Sequence, residues 1–166
     1  ESRALMKTLQ ASYKSDVFIS YSRSDMTIAK NLRDKLTEKG LKVWMDIDSI
    51  KKAEDWEPAI EIGIKEARLF VPILSKNVEQ ESIIPHEYRT EWIYADRLSK
   101  MMGRRTFIIP FVEEGFEFYN PLTKLPKEFS KKNATWFSNP TDTEGVTEVI
   151  LKEIASLRDL ENRLKS

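Results

Sequence analysis

One acidic residue in this 166-residue chain lies among apolar positions, where a carboxylate is unusual. Glu91 falls at helical spacing with Tyr88, Trp92 and Ala95, so it lies on the apolar face of a predicted helix. Burying a bare carboxylate is costly, and such a group must be paired with a cation or solvated in a cleft. Taken alone, these residues favour an ion pair at the edge of the core over catalysis. Three arginines are candidate partners: Arg23, Arg68 and Arg89.

The remaining residue types argue against several kinds of site. His86 is the single histidine and cysteine is absent, so a multi-histidine metal site and a catalytic cysteine are excluded. A Ser-His-Asp triad is poorly supported for the same reason. Neither G-x-G-x-x-G nor G-x-x-x-x-G-K-[ST] occurs, which counts against a Rossmann dinucleotide site and a P-loop. Asp46 and Asp48 follow a predicted strand, as acids do in phosphorylated receiver domains, but acids are common there. We expect no bound metal and no cofactor.

The composition is that of a globular domain without a net electrostatic field. Hydrophobic residues make up 40% of the chain and charged residues 33%, with 27 basic and 27 acidic side chains. No net charge recruits nucleic acid or an anionic membrane surface, so neither is expected as a partner. No apolar run approaches the roughly 20 residues that a membrane span needs. The lack of cysteine fits a reducing compartment, and a cytoplasmic location is expected.

Alternating strand and helix patterns must position these residues. Short apolar runs predict five strands, the first of them buried on both faces: 17–19, 41–45, 69–74, 107–112 and 134–137. Amphipathic spacing predicts four helices: 28–36, 56–67, 84–102 and 146–157. This alternation predicts an α/β fold with a five-stranded parallel sheet and helices on both faces. The number of strands suits the flavodoxin-like order 2-1-3-4-5.

Smaller features complete the expected organisation. Residues 1–14 are expected to be an N-terminal extension or linker, 15–158 the domain, and 159–166 a C-terminal helix extension. Pro72 has no N–H to give to a ladder, so we expect it near the end of the third strand, where pairing gives out. Trp56 follows a polar loop at 47–55. It is expected to pack on the core, although its ring could stack a nicotinamide or adenine beside a cleft.

Several sequence blocks, in order and at the right distances, resemble those of TIR domains. They are 16–21 (DVFISY), 40–46 (GLKVWMD), 67–75 (ARLFVPILS), and the bacterial-type pair 91–95 (EWIYA) and 107–111 (FIIPF). The resemblance runs from about residue 15 to residue 157 and implies the flavodoxin-like fold. It also implies one of two functions. Some TIR domains are NAD+ glycohydrolases, and many bacterial ones serve anti-phage defence; others are adaptors that associate through the loop after the second strand.

In the enzymatic kind, the resemblance implies an essential glutamate on the helix after the third strand. The family frequently has a tryptophan four residues before this acid. If Trp92 is that tryptophan, the acid is Asp96. If the E-W-x-x-A block is aligned instead, the acid is Glu91, and Glu87 stands where the tryptophan would be. We favour Glu91 as the catalytic residue because it preserves both the acid and its helical face. At about 100° per residue, Asp96 points roughly 140° away from Glu91 and is expected on a wetter surface.

One carboxylate suits this chemistry. The nicotinamide of NAD+ leaves as a neutral group, so no general acid is required, and a fixed carboxylate stabilises the oxocarbenium-like ribose. The resemblance further implies that Tyr21, Ser22 and Arg23 line the cleft, with Arg23 facing phosphate. It also makes Asp46 a substrate-binding residue and Trp56 the aromatic residue that stacks on the substrate.

These observations lead to one functional hypothesis and one alternative. The hypothesis is an NAD+ hydrolase that yields nicotinamide and ADP-ribose, or a cyclic isomer, in bacterial anti-phage defence. The alternative is a non-enzymatic TIR–TIR interaction module. The expected partners are NAD+, further copies of the chain through the 47–55 loop, and a fused or separate sensor domain.

Overall fold

A computed structural model describes residues 13–45, 56–81, 87–103 and 105–165, with the backbone alone for residues 56 and 57. Five strands form one parallel sheet in the order 2-1-3-4-5, as predicted. They are β1 (Ser15–Ser20), β2 (Val43–Met45), β3 (Ala67–Leu74), β4 (Phe111–Glu113) and β5 (Thr135–Phe137). The second strand is shorter than the predicted 41–45.

Helices connect the strands and cover both faces of the sheet. They are α1 (Met26–Glu38), α2 (Trp56–Lys65), α3 (Lys76–Gln80), α4 (Glu87–Met101) and α5 (Glu144–Lys165). Short 3₁₀ turns lie at Arg23–Asp25 and Lys131–Asn133. In the part of the chain that the structure describes, no helix combines the length and the apolarity that crossing a bilayer requires.

The strand β1 shows how the core divides between the two faces. Side chains alternate along a strand, so Val17 and Ile19 pack with α1 and α5, whereas Phe18 packs with α2, α3 and α4. All three are buried, which confirms the expectation of a strand covered on both sides. The sheet therefore has two separate hydrophobic layers, and the helix α4 belongs to the layer that contains Phe18.

Gly63 lets α2 approach that second layer closely. The rings of Phe18 and Trp44 are stacked with centroids 4.7 Å apart. A Cβ placed on Gly63 would lie 3.3 Å from an atom of each ring, which is tighter than ordinary van der Waals contact. A side chain here therefore has to displace α2 from the sheet.

We expect Gly63→Val to lower the free energy of unfolding by about 1–3 kcal/mol, because the added side chain overpacks the contact between α2 and the rings of Phe18 and Trp44. Urea unfolding followed by circular dichroism measures the change. Gly145→Ala is the matched control, since a Cβ on Gly145 meets nothing within 4 Å. Equal midpoints for Gly63→Val and the wild type would show that the helix does not depend on this close contact.

Pro72 interrupts the pairing between β3 and β4. Phe70 donates its N–H to Phe107 O at 2.8 Å and accepts from Ile109 N at 3.0 Å. The next donor of β3 toward this neighbour would be residue 72, and Pro72 has no N–H. Aligned pairs resume only at Ile73 with Phe111. The predicted strand 107–112 is thus an isolated bridge at Ile108 followed by β4, and the prediction of one continuous strand was wrong.

The expectation for Pro72 itself is half right. Toward β1 the last aligned pair is Ser20 with Pro72, so pairing does end there. Toward β4, however, the strand continues to Leu74 and pairs again. Pro72 can sit inside β3 because only one of its two neighbours loses a hydrogen bond.

The last element described is one long helix, α5. The predicted helix 146–157 lies within it, and α5 continues unbroken through the described residues of the expected extension to Lys165. Leu157 is buried, but Leu160 and Leu164 are 36% and 41% exposed. The apolar stripe of the sequence therefore continues beyond the core onto the surface.

Candidate functional site

The carboxyl ends of all five parallel strands meet at one edge of the sheet, where open α/β folds bind ligands. The helix α4 packs beside β1 and brings Glu91 to this edge. Glu91 is only 4% exposed and shares the buried face of α4 with Tyr88, Trp92 and Ala95, as the helical spacing predicted. A carboxylate is thus held inside the domain at the usual position of a ligand site.

Ser20, the last residue of β1, holds that carboxylate. Its Oγ donates a hydrogen bond to Glu91 Oε1 at 2.5 Å, within the range of charge-assisted O–H···O⁻ bonds. Ser20 is completely buried. The predicted first strand, 17–19, ended before Ser20, and no role was predicted for this residue. The missed signal is strand alternation, which puts Ser20 on the same face as Phe18 and therefore toward α4.

The three residues after Ser20 begin the loop expected to line the cleft. Tyr21 is partly buried and packs against the layer of α1 and α5. Ser22 is buried, and its Oγ accepts from Ser24 N at 3.2 Å, so its hydroxyl shapes the turn. Arg23 is exposed at the start of the 3₁₀ turn. Their roles in substrate binding remain predictions.

A buried acid ties this loop to the loop after β3. Asp25 is 6% exposed and accepts hydrogen bonds from Ser75 Oγ at 2.6 Å and Asn77 Nδ2 at 2.9 Å. Burial raises the pKa of the Asp25 carboxyl above its ordinary value, and the two donors only partly oppose that shift. Ser75 also caps α3, because its Oγ accepts from Val78 N at 3.3 Å. Asp25 therefore fixes the loop conformation from within.

Glu81 adds a second link, between the β1 loop and α4. It accepts from Ser24 Oγ and from Tyr88 Oη, each at 3.1 Å. Burial raises the pKa of Tyr88 to about 12, so this phenol stays protonated and acts as a donor at neutral pH. Tyr88 precedes Glu91 by about one helical turn. The loop after β1, the segment after β3 and the helix that carries Glu91 are thus linked by hydrogen bonds.

Asp96, the alternative candidate for the catalytic acid, is bound by two neighbouring residues. Its Oδ1 accepts from Glu128 N at 2.9 Å, and its Oδ2 lies 3.0 Å from Lys100 Nζ. Asp96 is intermediate in exposure whereas Glu91 is buried, so its surroundings are wetter, as expected, although the loop at Glu128 leaves its side chain only 13% exposed. Asp96 and Glu91 nevertheless have different partners, as their angular separation on α4 requires.

Two of the arginines considered as partners of Glu91 have other partners. Arg89 lies over the ring of Trp92 at 4.6 Å and donates to Thr123 O. Arg68 lies at the opposite, amino edge of the sheet. It binds Glu161 through two nitrogens at 2.8 and 2.9 Å, and Asp16 at 2.8 Å. The hydrogen bond to Glu161 is the largest cause of the raised pKa of Arg68.

This ion-pair network joins the amino edge of the sheet to α5. Asp16 and Glu161 are 2% and 7% exposed. Asp16 also accepts from Arg158 Nη2 at 3.0 Å and from Lys42 N at 2.9 Å. Because the two acids are buried, removing one of these donors would leave a carboxylate in the interior with less to compensate its charge.

Two predicted parts of the site, Asp46 and the 47–55 loop, lie outside the described residues, as does the single histidine, His86. Trp56 begins α2, but its side chain is not described. Among residues 13–45, 56–81, 87–103 and 105–165, no group of three or more metal-ligating side chains could hold an ion.

The fold and the edge carboxylate define a doubly wound α/β domain of the flavodoxin type. Comparison with known families identifies it further: the TIR domain model matches residues 17–150, most of the chain. The chain belongs to the TIR domain family, as its sequence blocks indicated.

Individual relatives are more distant. The chain is 33% identical over 69 residues to the NAD(+) hydrolase TcpA of the archaeon Theionarchaea archaeon (strain DG-70-1); the match covers 41% of this chain and 21% of that protein. The segment thus spans about a fifth of the curated relative. Among solved structures, the TIR-STING receptor of C. gigas in complex with 2',3'-cGAMP has a TM-score of 0.58 at 16% identity, over 86% of this chain and 40% of that one. The TIR domains of the activated Roq1 resistosome have a TM-score of 0.50 at 19% identity, over 90% and 84%. At such identities these structures support the fold alone.

Proposed function

We propose that this TIR domain cleaves NAD+ at the nicotinamide–ribose bond, releasing nicotinamide and ADP-ribose or a cyclic isomer of it. One observation carries the proposal: Glu91 lies buried at the carboxyl edge of the sheet, and a serine from the central strand holds its carboxylate. The match to a protein named as an NAD(+) hydrolase supports the same activity.

The chemistry needs what Glu91 can supply. The nicotinamide ring of NAD+ is cationic and leaves neutral, so the departing group takes up no proton. The barrier is the positive charge that develops on the ribose as the bond breaks. A fixed carboxylate next to that ribose stabilises the charge, and it does so more strongly where water is excluded. Water then adds to the ribose to give ADP-ribose, or a nucleophile within the same molecule closes a ring.

The rest of the proposed site follows from the family resemblance. Tyr21, Ser22 and Arg23 line the cleft, with the exposed Arg23 facing phosphate. Asp46, which precedes the 47–55 loop in the sequence, and Trp56, which follows it, also bind the substrate, with the indole stacked on it. The reaction as proposed uses no metal and no cofactor.

Direct detection of products tests the activity. NAD+ incubated with the purified protein is separated by chromatography, and nicotinamide is measured against time. We expect nicotinamide and an ADP-ribose product in equal amounts. Failure to release nicotinamide at high micromolar protein would refute the enzymatic function.

We expect the rate to rise faster than linearly with protein concentration, because the proposed site is completed by the 47–55 loop of a second copy. Specific activity measured from nanomolar to high micromolar protein checks this, with light scattering in parallel to report assembly. A constant specific activity across a range in which the scattering shows assembly would contradict the role of a second copy.

A second candidate is a TIR interaction module without enzymatic activity. The similar Roq1 domains were determined within an activated resistosome, and α5 of this chain presents Leu160 and Leu164 at its surface. NAD+ cleavage distinguishes the two candidate functions, because an interaction module would assemble in light scattering and leave NAD+ intact.

A further inference from the structure

Ser20 is placed to act on the proposed reaction through Glu91. Its Oγ lies 2.5 Å from Glu91 Oε1, although the two residues are 71 positions apart in the chain. Both residues are buried: Ser20 is completely buried, and Glu91 is 4% exposed. A buried hydrogen bond to an ionised group is stronger than a neutral one, and water cannot replace it easily.

Ser20 ends a central strand of the sheet. The strand β1 is paired with β2 as far as Ile19 and with β3 as far as Ser20, which is aligned with Pro72. Glu91 has three side-chain torsions and lies on a helix that packs over this strand. The hydroxyl of Ser20 therefore links the carboxylate to the end of a strand that is held by its two neighbours.

We propose that Ser20 is a positioning residue, whose hydroxyl holds the Glu91 carboxylate in the orientation that stabilises the oxocarbenium-like ribose. The inference rests on the proposed NAD+ cleavage. Ser20 touches no reacting atom in this scheme. Its effect passes through the orientation of Glu91, because misplacing a reacting group by about 1 Å can cost about 10²-fold in rate.

The test begins with Ser20→Ala, a smaller residue that fits the same buried space. We expect kcat for NAD+ cleavage to fall about 10- to 100-fold while KM changes less than about twofold, since substrate contacts are untouched. Ser99→Ala is the matched control. It removes another buried serine that donates to a carboxylate, at 3.0 Å to Glu128 Oε1, and it lies about two helical turns from Glu91 on α4. It should keep kcat within about threefold of the wild type when both are measured well below their unfolding temperatures.

A double variant separates positioning from general loosening. In the Glu91→Gln background, Ser20→Ala should have no further effect on the residual single-turnover rate, because the charge it orients is already gone. Wild-type kcat in Ser20→Ala would overturn the proposal and leave the NAD+ cleavage standing. So would equal losses in Ser20→Ala and Ser99→Ala, or a full second loss in the double variant. A wild-type protein that releases no nicotinamide would overturn both proposals.

Discussion

The Glu91→Gln variant should lose more than about 10²-fold of its NAD+ cleavage rate and remain folded, because it loses a preorganised charge and keeps its shape. Glutamine can still accept the Ser20 hydrogen bond through its carbonyl oxygen. The loss is expected in kcat, since the carboxylate acts on charge that develops only in the transition state. Initial rates of nicotinamide release over a range of NAD+ concentrations measure it.

Asp96→Asn is the matched control for that experiment. The change also neutralises an acid on α4, but one that binds Glu128 N and Lys100. We expect its activity per folded molecule to stay near that of the wild type. An inactive Asp96→Asn together with an active Glu91→Gln would mean that the catalytic acid has been assigned to the wrong residue. If both cleave normally, the interaction module becomes the better account.

The largest stability effect is expected at the opposite edge of the sheet. Arg68→Met should lower the free energy of unfolding by about 3 kcal/mol, because it leaves Glu161 buried without its bidentate partner. Asp16 keeps Arg158 and the amide of Lys42, which holds the loss at the lower end of the range for broken buried pairs. In thermal unfolding this corresponds to a shift of about 6–12 °C.

Arg163→Met provides the comparison. Arg163 lies 3.0 Å from Asp159 on α5, but these side chains are 73% and 62% exposed. An exposed pair one helical turn apart contributes about 0.3–0.5 kcal/mol. Melting curves for the two variants should therefore differ clearly. Similar melting temperatures would show that the Arg68 network does not stabilise the fold, as can happen when desolvation offsets the attraction.

Most of the fold could be predicted because the apolar runs of this chain are short and separated by amphipathic helices. The order of the strands was predicted by analogy with flavodoxin-like folds of five strands, and the structure confirms it. The fourth strand could not be read correctly, since the effect of Pro72 depends on which neighbour its missing N–H would face. The helix α3 was missed as well, because five residues are too few to show a helical period.

The candidate site could be predicted only in part. Helical spacing brought Glu91 to the buried face of α4, and the structure confirms that face. Its partner could not be found from local pattern, since Ser20 lies on another element far away in sequence. The suggestion of Arg68 overlooked strand direction: Arg68 is the second residue of β3, so it must lie at the edge opposite the carboxyl ends.

The strand β1 carries a buried polar residue near each end, Asp16 and Ser20, on either side of its apolar trio. Because each is bound to a specific partner, the strand has one admissible register. A slip by one residue would turn Phe18 toward the wrong layer, separate Asp16 from Arg68, and remove Ser20 from Glu91. These two polar groups therefore select a single alignment for the strand that the sheet is built around. The hydrogen bond from Ser20 to Glu91 in the candidate site can therefore form during folding only when β1 is paired in the correct register.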